Sequence, residues 1–111
     1  MIVGLDINCF KARNHEVFKH EGWYENPNVT EVFYFRKHWD MLRALSFINV
    51  ERDCGEFIQL SRENLEEILD AAAHHRDYFG GFEVVPAICE ALANFDEVED
   101  EGYHYYFEFD Y

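Results

Sequence analysis

Residues 102–111 read Gly-Tyr-His-Tyr-Tyr-Phe-Glu-Phe-Asp-Tyr, and no other stretch constrains the fold as tightly. Tyr103, Tyr105, Phe107, Phe109 and Tyr111 alternate with His104, Tyr106, Glu108 and Asp110. A period of two sends successive side chains to opposite faces of a strand. The first set predicts a face buried in a core, and the second a face turned to solvent. An acid-rich run, Asp96-Glu97-Val98-Glu99-Asp100-Glu101, comes just before. An apolar strand beside a block of negative charge supplies a structural piece and a candidate contact surface together. It specifies no reaction.

The rest of the chain supplies what such a strand could pack against. Val3, Leu5, Ile7 and Cys9 alternate with Asp6 and Asn8, which predicts a second half-buried strand over residues 1–10. Residues 22–30, around Asn26-Pro27-Asn28, read as a loop. Residues 32–35 could be a strand or the entry to a helix. Met41, Leu42, Leu45 and Ile48 fall near helical spacing and predict a helix over 39–48. Residues 56–60 read as a short strand. Ser61 is a suitable N-cap, with Leu60 and Leu65 at the two positions of a hydrophobic staple. Leu65, Ile68, Leu69 and Ala72 then line one helical face. Gly80-Gly81 predicts a break, and Pro86 suits the first turn of another helix. Ile88, Cys89, Leu92 and Phe95 would give that helix its buried face. The expected class is α+β: about three helices packed on a small, mostly antiparallel sheet, in one domain spanning 1–111.

Charge narrows the partners. Against 23 acidic side chains stand nine Lys and Arg, a formal net charge of −14. Direct binding to a nucleic-acid backbone is not expected, because phosphate contacts need clustered Lys and Arg. An anionic membrane would repel the same surface, and no stretch approaches the roughly 20 apolar residues of a span. The start of the chain lacks the basic and apolar pattern of a secretory leader. Cys9, Cys54 and Cys89 are widely spaced and odd in number, which fits reduced thiols better than a disulfide scaffold or a zinc knuckle.

Catalytic signals are sparse. Asp6 in an apolar strand could be a metal ligand or general base, or a structural carboxylate paired with Arg36 or backbone amides. His38 beside Asp40 could be an oriented base, yet no Gly-flanked serine or second carboxylate accompanies the pair. A structural ion cluster explains Arg36, Lys37, His38 and Asp40 as well. His74-His75 makes a poor chelate, since adjacent residues on a helix point about 100° apart. Cys54, near Arg52, could be a reactive thiol or a buried one. Gly80-Gly81 is not followed by Lys-Ser/Thr, which excludes a P-loop. No cofactor is expected.

The acidic residues are more coherent. Glu63, Glu66, Glu67 and Asp70 fall on one side of a helix, and Glu97, Glu99, Asp100 and Glu101 form a run. Glu108 and Asp110 repeat on one strand face, about 7 Å apart. Fixed carboxylates at such spacing can imitate a phosphate backbone and draw in a basic cleft. An ordinary solubilising surface is the alternative.

Five segments occur in an order that resembles a family of small phage and prophage proteins. They are Gly4-Leu5-Asp6-Ile7-Asn8, Tyr34-Phe35-Arg36-Lys37-His38-Trp39-Asp40-Met41-Leu42, Cys54-Gly55-Glu56, Leu60-Ser61-Arg62-Glu63-Asn64-Leu65 and Gly102-Tyr103-His104-Tyr105-Tyr106. Members often begin with a strand like GLDMYL, carry a centre like YWRKxxxLH and end in an aromatic strand. The likeness covers most of the chain. Leu42 stands where the family often has histidine, so a site built on that histidine is not carried over. The chain also finishes Phe109-Asp110-Tyr111 in place of a Ser-Ser-Trp ending. The resemblance implies a phage-related origin and a cytoplasmic life in an infected bacterium, without a mechanism. It raises the expectation of an inhibitor of host defence, anti-CRISPR or anti-restriction, that engages a basic, nucleic-acid-binding host protein. A small metal-dependent enzyme using Asp6, His38 and Asp40 is one alternative. An oligomeric protein, such as a homodimer paired through its last strand, is another.

Overall fold

In a computed structural model of the chain, residues 6–36, 42–49, 53, 55–74 and 81–110 are described, the side chains at 35, 36 and 81–83 excepted. Four strands, β1 (Asp6–Ala12), β2 (Thr30–Arg36), β3 (Ile58–Leu60) and β4 (His104–Asp110), form one sheet in the order β2-β1-β4-β3. Every ladder is antiparallel. Helices α1 (Arg62–His74), α2 (Gly81–Ala93) and α3 (Phe95–Asp100) complete the described elements. The class is α+β, as the alternating and helical patterns predicted.

The core lies between the helices and one sheet face. Ile7, Cys9, Phe33, Phe107 and Phe109 meet Leu65, Ile68 and Ala72 of α1 and Val84, Ile88 and Ala91 of α2. Each large apolar side chain so buried contributes about 1.5–3 kcal/mol before conformational entropy is set against it. β4 is central, flanked by β1 and β3. Over residues 105–107 both sides of β4 carry ladders, so a second copy paired edge to edge there would have to displace β3.

The second face of β4 departs from expectation. Tyr106, assigned to the solvent face by alternation, is only 2% exposed. A second aromatic layer covers it. Residues 13–29 run through two short 3-10 turns, His15–Lys19 and Trp23–Glu25, which lay Phe18 and Trp23 over Phe10 and Tyr106. Phe57 completes the layer, stacked on Phe18 with ring centres 3.9 Å apart, while Trp23 meets both rings edge-on. Alternation could not show this, because the covering rings come from distant loops.

Helix α1 begins as its sequence demands. The Asn64 N–H donates to Ser61 Oγ at 3.1 Å, and the Ser61 N–H donates to Asn64 Oδ1 at 3.0 Å. This reciprocal box satisfies two donors otherwise left open at a helix start, an effect of about 1 kcal/mol. Leu60 and Leu65 are buried as a staple requires. The helix expected over 39–48 does not run its length. Residues 39–41 lie outside the described residues, and beyond Arg43 the chain turns through 3-residue steps, Leu45 N–H to Leu42 and Ile48 N–H to Leu45 carbonyls. The Ser46 N–H, which a helix would direct to Leu42, donates instead to the Glu67 carboxylate, and Ser46 Oγ does so at 2.9 Å.

Two expectations for α2 are corrected. Pro86 lies inside the helix, on its exposed side, because the helix already begins at Gly81. The missing N–H there costs the bond to residue 82. Cys89 is exposed. The buried stripe is Val84, Ile88 and Ala91, continued by Phe95, and Cys89 lies about 100° around from Ile88. Between α3 and β4, Gly102 adopts φ 88°, with its N–H on the Glu99 carbonyl and the Tyr103 N–H on the Val98 carbonyl. This left-handed cap turns the chain from α3 straight into the central strand.

Candidate functional site

The acidic residues occupy two sides of the sheet. On the helix side, Glu63, Glu66, Glu67 and Asp70 fall within about 100° of arc on α1, opposite Leu65, Ile68 and Ala72. Glu63, Glu66 and Asp70 are exposed. Glu67 is half-buried and committed to Ser46, so its role is to hold the 42–49 segment. Asp70 lies 3.7 Å from the His74 ring, whose Nδ1 is also 2.8 Å from the Asp70 carbonyl oxygen.

Arg62 joins α1 to α3. Its guanidinium lies 3.0 Å from Asp96 and 3.4 Å from the Leu92 carbonyl, and it covers the Phe95 ring at 5.1 Å. Such a partly exposed pair is worth about 1 kcal/mol or less, but it sets the two helix N-termini side by side. Negative charge is favoured at both, with Glu63 in the first turn of α1 and Asp96 and Glu97 in that of α3. Phe95 and Val98 anchor α3 in the core, leaving Glu97, Asp100 and Glu101 at the surface. Glu99 lies 3.7 Å from His104 Nδ1. That separation is too long for a hydrogen bond, and the Nδ1 atom is buried with no hydrogen-bond partner among the described residues.

Glu108 and Asp110 do not join this surface. They lie on the other side of the sheet, with Asp110 opposite Asp6 and Glu108 opposite Asn8. Glu108 is half-buried, not an exposed repeat. Burial above all raises its carboxyl above the ordinary range, Asp110 and Asp6 add to the rise, and a hydrogen bond with Asn8 opposes it. Like charges facing each other across a ladder are unfavourable. Asp6 is exposed at the start of β1, so the desolvation cost expected for a buried carboxylate does not apply. Tyr34 donates its hydroxyl to Asp6 Oδ1 at 2.6 Å. Arg36 is the register partner of Asp6 on β2.

His38 and Asp40 lie outside the described residues, as do His75 and Cys54. Among the described residues no group of three or more His, Cys, Asp or Glu is arranged to hold a metal ion. No helix among them is long and apolar enough to cross a membrane.

What sequence patterning missed is the aromatic layer. Beside it opens a cavity of about 300 Å³ lined by His15, Phe18, Lys19, Glu56 and Phe57. The only hint was an excess of aromatic residues without an assigned core position, Phe18, Trp23 and Phe57 among them. Comparison with protein-family models, with curated proteins and with solved structures finds no match to this chain.

Proposed function

We propose that this protein is a binding protein whose acidic helix-side surface engages a basic protein. The observation that carries the reading is the junction of α1 and α3. There Arg62 pairs with Asp96, and Glu63 and Glu66 of α1 and Glu97, Asp100 and Glu101 in and just after α3 are exposed. Beyond Arg76 the chain contains neither Lys nor Arg, so the negative charge of its last two helices and central strand is offset only by cations from earlier in the chain, such as Arg62 against Asp96. Carboxylates fixed on short, packed helices lose little entropy on binding and steer a cationic partner over a Debye length of about 8–10 Å. The likeness to small phage proteins makes a nucleic-acid-binding host protein the natural partner class, and interference with host defence the natural consequence.

Capture from a bacterial lysate tests this. The wild-type chain should retain a protein of basic isoelectric point in low salt and release it on raising the salt. The variant Glu63→Lys/Glu66→Lys/Glu97→Lys/Asp100→Lys should retain none of it while melting cooperatively. Equal retention by both proteins, or retention of acidic proteins, would refute the proposal.

A further inference from the structure

We propose that the cavity between the sheet and α2 binds a small aliphatic amine, whose ammonium is held by Glu90 and the Tyr105 hydroxyl and whose apolar stem lies on Ala87, Ala91 and Val98. This is a site for a small molecule, and it does not depend on the partner read from the α1–α3 junction.

The cavity, of about 220 Å³, opens where the β1–β2 register slips, beside the second half of α2. The slip leaves Val32 as an extra residue on β2. Three consecutive residues, Thr30, Glu31 and Val32, thereby border one cavity, where a regular strand would turn alternate side chains away. Ala87, Ala91 and Val98 supply apolar wall. At about 30 Å³ per water molecule the space equals roughly seven waters, room for a molecule of about five heavy atoms.

Tyr105 carries the inference. It is 4% exposed, it lines this cavity, and its hydroxyl makes no hydrogen bond among the described residues. Polar groups on side chains so deeply buried nearly always have a partner, so this one is set to receive a partner from outside. Burial first, then Cys9 and Glu90, raise the hydroxyl above its ordinary range. It therefore stays protonated at neutral pH, able to accept from an ammonium and to donate to a carboxylate. Glu31 and Glu90 line the same cavity, and neither has a cationic partner among the described residues. Lys11 borders the cavity too but pairs with neither; its ammonium lies 5.6 Å from the centre of the Tyr103 ring. The two carboxylates would repel an anion, whereas an ammonium satisfies a carboxylate and the hydroxyl together. A divalent metal ion would need three or more converging ligands, a set absent among the described residues.

Two-dimensional NMR titration of the full chain tests this, with n-butylamine, butyrate and lysine blocked at both its α-amino and carboxyl groups as probes. Butylamine should bind saturably and move the amide resonances of Glu31, Val32, Ala91, Asn94 and Tyr105. Butyrate should move none of them. Tyr105→Phe and Glu90→Gln should each weaken butylamine several-fold. Glu90 is exposed, so its substitution decides the matter should Tyr105→Phe fail to fold. The blocked lysine distinguishes a free amine from the side chain of a peptide. Butylamine should bind at least as tightly, and tighter binding of the blocked lysine would overturn the free-amine assignment. Absence of saturation, an equal response to butyrate, affinity unchanged by Glu90→Gln, or shifts confined to the exposed faces of α1 and α3 would overturn the site itself.

Discussion

Glu108 sits on the central strand with Asp110 two residues ahead and Asp6 across the adjoining ladder. Its folded-state pKa is raised, chiefly by burial. A group held above its unfolded value contributes stability at pH below that unfolded value and loses it as pH rises through the folded one. At neutral pH, then, the ionised carboxylate works against the fold. Glu108→Gln keeps the shape and removes the charge. Thermal melting should show the variant more stable than wild type at pH 7, with the difference closing as pH falls through the raised folded value towards about 4.5, the ordinary value for Glu. A lower melting temperature at pH 7 would contradict this. The cysteines divide as sharply. Cys9 is fully buried and its thiol pushed far up by desolvation, while Cys89 is exposed. In a Cys54→Ser background, a thiol reagent should modify Cys89 within seconds to minutes. Cys9 should react only at the rate of unfolding. Rapid double labelling would show that the thiol of β1 is accessible after all.

Local chemistry was legible in the sequence at the element scale; competition from distant residues was not. Ser61, Leu60 and Leu65 marked the start of α1 because a cap and its staple need only neighbours along the chain. The early end of the helix expected over 39–48 was hidden because Glu67, far along the chain, takes the Ser46 amide. Pro86 looked like a helix start because proline suits the first turn, yet packing of Val84 and Ile88 carries α2 through it. The solvent face assigned to β4 is covered because Phe18, Trp23 and Phe57 fold back across Phe10 and Tyr106. That layer is an element in its own right. Phe57→Ala removes the ring stacked on Phe18 and one edge contact to Trp23. It should destabilise the protein by about 2–4 kcal/mol, read by urea denaturation, and shift Trp23 emission to the red. A loss below about 0.5 kcal/mol would mean that the layer is dispensable to the fold.

Across the whole molecule, the strand from the start of the chain and the strand from its end form the central pair of the sheet. Such long-range pairing makes folding depend on late, non-local contacts. Around this frame the charge is unevenly placed. The acidic residues legible as a helical stripe and a run are linked through Arg62, which no spacing rule identified. Glu108 and Asp110 matched the same pattern on paper but face away, because α1, α2 and α3 pack on the opposite side of the sheet.

On the proposed reading, fixed negative charge at the α1–α3 junction is what a basic partner recognises. Its most direct test is the salt dependence of the equilibrium dissociation constant for the captured protein, measured for wild type and for Glu63→Gln/Glu66→Gln/Glu97→Gln/Asp100→Asn. The wild-type constant should rise at least tenfold between about 50 and 500 mM salt, and the substitutions should both weaken binding and flatten the slope. A salt-independent constant, or a slope unchanged by the four substitutions, would contradict it.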